Sequence, residues 1–133
     1  MDAAAREFVR QRAGGRCEYC LLPEECDEWP FHLEHIVAKQ HGGDDGFENL
    51  CWSCSRCNLH KGTNIASIDA ESGDLIALYN PRQQQWNTHF EISDARISGL
   101  TNVGRTTARL LHMNDVHRVD LRRDLIARGI IQI

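Results

Sequence analysis

The spacing of apolar residues changes several times along the chain, and each change predicts a different element. In "DAAAREFVRQRA" (2–13) apolar residues recur near helical spacing among good helix formers, and Gly14-Gly15 ends the run. "FHLEHIV" (31–37) reads as a short strand, and "NLCW" (49–52) as a second extended piece. Between them "AKQHGGDDGFE" is a loop by its glycines and aspartates. "SCSRCNLHKG" (53–62) fits a short helix closed by Gly62. Beyond Thr63, the turn signals Glu-Ser-Gly-Asp and Asn-Pro separate β-prone runs and predict strands near 75–79, 88–93 and 95–99. Two helices follow, near 103–113 and 115–128. Val116, Val119, Leu121 and Leu125 form an apolar stripe on the second, with the arginines mostly off it and facing water. The pattern is α+β, without repeats or low-complexity segments. It divides into a region 1–64 and an extension 65–133 packed on it, one domain overall.

Composition narrows the class. At 133 residues, 41% hydrophobic and 26% charged, the chain has the make-up of a soluble globular domain with a modest core. It has no run of about 18 apolar residues, so no membrane span is expected. The N-terminus carries charges where a signal peptide is apolar, so a cytoplasmic location is expected. A net charge of −4 argues mildly against non-specific nucleic-acid binding. From Arg96 onward, however, seven arginines face three aspartates, while acid concentrates early in "PEECDE". The C-terminal part could therefore face phosphates through Arg105, Arg109, Arg122 or Arg123, although charges off an apolar stripe usually only face water.

Cysteine spacing changes the picture more. Six cysteines could make three disulfides, but a reducing compartment opposes that. Cys17-Glu18-Tyr19-Cys20 and Cys54-Ser55-Arg56-Cys57 are two Cys-x-x-Cys knuckles, each able to place two sulfurs on one tetrahedral ion. They predict a structural Zn²⁺ site that ties the ends of a long loop together, which a small core cannot easily do alone. Cys51-Trp52-Ser53-Cys54 also has this spacing. Cys54 and Cys57 are preferred because Asn58 and Lys61 follow them. Cys26 is then a loop thiol and Cys51 a small buried hydrophobe.

Extended piece, glycine loop, extended piece and helix all lie between the knuckles. This order brings Glu34 and His35 toward the helix that carries Asn58 and Lys61. Hydrolysis of a phosphodiester takes a base for water and a cation for the charge that builds on phosphate and leaving oxygen. Histidine suits the base, and glutamate and asparagine offer hard oxygens suited to Mg²⁺ or Mn²⁺. Taken alone, Glu34 and His35 would more simply be a solvated strand end. Asn49 could be a turn residue, Asn58 a plain helix residue, and Lys61 either a phosphate contact or a solvated helix end.

The combination "RCEYC … LEHIVAKQHGGDDGFENLCWSCSRCNLHKG", about Arg16 to Gly62, resembles the HNH endonucleases with their ββα-metal (His-Me finger) fold. "YNPRQQQWNTHFEI … GLTNVGRTTARLLHMN" is similar to an extension found in a subgroup of small bacterial HNH proteins. The resemblance implies that His35 is the general base and that Asn49 braces the loop and helps hold that histidine. It implies that Glu34 and Asn58 bind one catalytic divalent ion, and that Cys17, Cys20, Cys54 and Cys57 bind zinc. Glu34 stands where aspartate is commoner, Asn58 makes a His-Asn-Asn variant, and "VAK" replaces a frequent proline. The expected activity is metal-dependent cleavage of DNA, with RNA left open. The rivals are a non-catalytic zinc module binding nucleic acid or protein, and a nuclease subunit whose protein partner or second copy supplies specificity. His32, His41 and His60 are expected at the surface, and Trp86, His89 and Phe90 in packing.

Overall fold

The computed structural model describes residues 2–132, so Met1 and Ile133, the outer ends of the two predicted regions, lie outside it. Helix α1 (Ala3–Arg12) starts where the Asp2 carboxylate accepts the Ala5 N–H at 2.7 Å. Its length covers a two-stranded antiparallel hairpin, β1 (His32–His35) with β2 (Leu50–Ser53). In the register Glu34 faces Cys51, and His35 faces Leu50. β2 is buried at every position, because α1 covers one face and the chain after it the other. Arg6 lies over the Trp52 ring at 4.7 Å and donates to Phe31 O, while Arg12 donates to Leu50 O.

Helix α2 (Ser55–Lys61) follows β2 after a single residue. That residue, Cys54, is its N-cap, and its sulfur accepts the Cys57 N–H at 3.4 Å. Hairpin and helix form a ββα unit. The first knuckle is folded onto it: the Glu18 N–H donates to Trp52 O, and the Glu18 carboxylate accepts the Trp52 N–H.

Residues 65–132 add two further antiparallel hairpins and three helices. β3 (Ala66–Ile68) pairs with β4 (Leu75–Ala77), and β5 (Phe90–Ser93) with β6 (Arg96–Gly99). A single turn, α3 (Trp86–His89), leads into β5, and α4 (Asn102–Leu110) and α5 (Val116–Ala127) complete the chain. α4 sits against the β5–β6 hairpin because two glycines meet there. A Cβ on Gly104 would stand 1.9 Å from His89 O, and one on Gly99 2.2 Å from the Arg105 nitrogen. This region touches the ββα unit through polar anchors as well as the shared core. Trp86 Nε1 donates to Tyr19 O at 2.8 Å, Arg118 pairs with Asp27, Arg56 with Asp115, and Arg82 with Glu18.

Three local expectations change. The stretch predicted as a strand at 88–93 begins as the helical turn α3, and β3 was not foreseen. The first C-terminal helix stops at Leu110 rather than 113, with His112 in the left-handed region at φ 53°. Arg122, expected to face water, is buried and donates to Ala95 O and Met113 O, tying the β5–β6 turn to the α4–α5 turn.

Candidate active site

The four knuckle sulfurs come together. Those of Cys17, Cys20, Cys54 and Cys57 all lie within 4.8 Å of one another, and all four residues are buried. Cys20 and Cys54 are 3.8 Å apart, close to the edge of a tetrahedron with Zn–S bonds of about 2.3 Å. The Cys20 and Cys57 amides donate back to the first sulfur of each knuckle. Burial pushes the Cys17 thiol up, while hydrogen bonds from Cys17, Cys20 and Cys57 pull Cys54 down. Thiols crowded and buried in this way fit a soft cation that replaces their protons. Cys26 and Cys51 stand outside the cluster, and no other such group of metal-ligating side chains occurs among the described residues.

Glu34 points from β1 into the interface with α2. Only 6% exposed, its Oε1 lies 3.4 Å from Lys61 Nζ, and its Oε2 accepts from Cys51 Sγ at 3.5 Å. Oε1 is fully buried with no hydrogen-bond partner. Burial pushes the carboxyl up to about 7, and Lys61 pulls in the other direction without overcoming it. Apart from the Lys61 ammonium at 3.4 Å, the buried Oε1 has no partner, and a hard cation such as Mg²⁺ or Mn²⁺ is one that it could engage. Asn58, half-buried one helical turn before Lys61, makes no side-chain hydrogen bond among the described residues.

Lys61 stands elsewhere than the sequence reading put it. That reading offered its ammonium to phosphate or to water at the helix end. The side chain is instead turned inward, 1% exposed, where Nζ donates to Ile36 O at 3.0 Å and His35 O at 3.4 Å. It fastens the end of β1 to the end of α2. Nothing in the sequence distinguishes this lysine from a surface one.

Successive residues of a strand point to opposite faces, so His35 leaves Glu34 behind and faces the glycine loop. Its ring nitrogen Nε2 lies 2.7 Å from Asp45 Oδ1. Asn49 braces this loop from the other end. Its Oδ1 accepts the Val37 N–H at 2.9 Å, and its Nδ2 donates to Val37 O at 2.9 Å and Asp44 O at 2.8 Å. The loop passes so close that a Cβ on Gly43 would lie 1.8 Å from Val37 O, which is why glycine is needed there. Asp45 was not singled out in the sequence; an aspartate in a glycine-rich loop reads only as a turn former. His32 and His41 are exposed, as expected, whereas His60 is half-buried, its ring tilted against that of His112 with centroids 4.1 Å apart.

A strand hairpin and helix, with a first knuckle joined to the helix start by four clustered cysteines and a histidine at the strand end, form a zinc-braced type of ββα fold. Residues 17–64 match the family model described as HNH endonuclease. Over 124 residues, 92% of the chain, it is 27% identical to the Septu protein PtuB of Bacillus thuringiensis. The match covers 46% of that protein, so the chain spans about half the length of this curated relative. No solved structure matches the chain.

Proposed function

We propose that this protein is a metal-dependent endonuclease that hydrolyses phosphodiester bonds in DNA. The observation that carries the reading is the pairing of two adjacent strand residues with separate surroundings. Glu34 is buried against α2 with an oxygen free of hydrogen bonds, and His35 stands at the loop face with a partly open ring. His35 takes a proton from water, whose oxygen attacks phosphorus as the bond to the 3′ oxygen breaks. Glu34 and Asn58 would hold Mg²⁺ or Mn²⁺, which when bound neutralises charge on the phosphate and the leaving oxygen. Asn49 keeps the loop shut against β1, and the cysteine cluster, which would hold Zn²⁺, ties the first knuckle to the start of α2. Lys61 is assigned to this framework and not to the nucleic acid.

Supercoiled plasmid incubated with the zinc-loaded protein should be relaxed or linearised only when Mg²⁺ or Mn²⁺ is added, and a labelled RNA run alongside reads the substrate preference. Cleavage that persists at full rate without any added divalent ion would remove the metal from the mechanism. A second reading, a subunit whose partner confers specificity, is favoured by one fact: the alignment accounts for less than half of a longer relative. It predicts weak, unselective nicking by the isolated chain.

A further inference from the structure

The histidine read as the base has a partner that the motif does not name. Nε2 of His35 lies 2.7 Å from Asp45 Oδ1, and the other oxygen of the same carboxylate holds Lys39 Nζ at 3.1 Å. These two contacts, His35 first, hold Asp45 below the usual carboxylate range. An ionised carboxylate can only accept hydrogen bonds, so the ring nitrogen facing it is the donor. In a neutral imidazole this leaves the proton on Nε2 and the lone pair on Nδ1.

Asp45 is delivered to that place by the loop. The Asn49 amide holds the carbonyl of the preceding residue, Asp44, and the Asp44 carboxylate caps the turn by accepting the Gly46 N–H at 3.0 Å. Gly43 lets the loop pass over Val37. One set of bonds thus fixes strand end, loop and carboxylate together. As a stabilising ion pair the contact is minor, since the Asp45 side chain is 52% exposed and such pairs contribute little. Its consequence lies in the direction of the ring.

We propose that Asp45 is a positioning residue that fixes the tautomer and ring orientation of His35, so that Nδ1 is the atom that receives the proton from water. The inference rests on the reading of His35 as the base. It also gives Asn49 a route of action, because Asn49 holds the loop that presents Asp45.

The test uses the full chain, zinc-loaded, with Asp45→Ala and Asp45→Asn. Nitrogen-15 NMR of the His35 side chain, at about pH 8.5 where an ordinary imidazole is neutral, reads the ring directly. The wild type should show a protected ring N–H at Nε2. Asp45→Asn, which keeps an acceptor oxygen, should retain it, and Asp45→Ala should lose it to solvent exchange. In plasmid nicking with Mn²⁺, Asp45→Ala should lower kcat about tenfold or more with KM within about twofold, and Asp45→Asn should recover most of the loss. A wild-type protein that nicks, with an Asp45→Ala variant of unchanged kcat or an unchanged ring N–H, overturns this proposal alone. A wild-type protein that does not nick overturns the reading beneath it.

Discussion

Glu34 and Lys61 illustrate how one buried pair can serve a site. Their charges lie 3.4 Å apart with almost no exposure, yet burial outweighs the attraction, and the carboxyl rises from 4.5 to about 7. The folded state therefore binds the extra proton between those two values. Stability from this group is full below the lower one and is lost as pH rises through the higher. Relative to Glu34→Gln, the zinc-loaded protein without other divalent ions should lose about 2 kcal/mol of stability between about pH 5.5 and pH 8. Denaturant unfolding of both proteins at the two pH values measures this, and an equal difference at each would show that the carboxyl titrates normally. At this scale the four clustered cysteines were legible because their type and spacing are constrained together. Lys61, Arg122 and Asp45 were not. Whether a cation faces strand carbonyls or water, and whether a loop aspartate meets a histidine, is decided by tertiary packing.

Among the elements, α2 carries the most constraint for its length. Its N-cap, Cys54, is also a member of the four-sulfur cluster, so the bond that starts the helix and the grouping that holds the first knuckle share one atom. Serine is a good N-cap, and it is a poor substitute for a thiolate on zinc. Cys54→Ser separates the two roles. The variant should lose bound zinc and cooperative unfolding, read by metal analysis and circular dichroism, because site formation and folding are one event in small metal-braced domains. Native stability with serine in place would mean that capping alone matters. The elements that the sequence revealed are those with a pattern or a turn signal beside them: α1, the β1–β2 hairpin, α2, β4, β6, α4 and α5. The three-residue β3 and the single turn α3 have none. β3 exists because the turn after it is organised by the buried Asp69, which accepts from the Glu71 N–H, Ser72 Oγ and Arg105.

For the molecule as a whole, the C-terminal region changes the surroundings of the ββα unit more than its chemistry. It covers the first knuckle through Trp86 and Arg82, and it engages α2 through Arg56–Asp115 and the His60–His112 ring contact. Part of its excess of arginine is taken up by internal partners. Arg105 is spent on Asp69 and Glu71, Arg118 on Asp27, and Arg122 on backbone carbonyls. The overall charge of −4 gives little non-specific hold on nucleic acid. No helix among the described residues is long and apolar enough to cross a membrane.

The account depends most on His35. The direct measurement is nicking of supercoiled plasmid, with Mn²⁺ or Mg²⁺, by wild type and His35→Ala whose zinc contents have been shown to be equal. Wild type should convert the plasmid and the variant should fall by about a hundredfold or more, since the general base is gone while the scaffold remains. Cleavage by the variant at the wild-type rate would contradict the account.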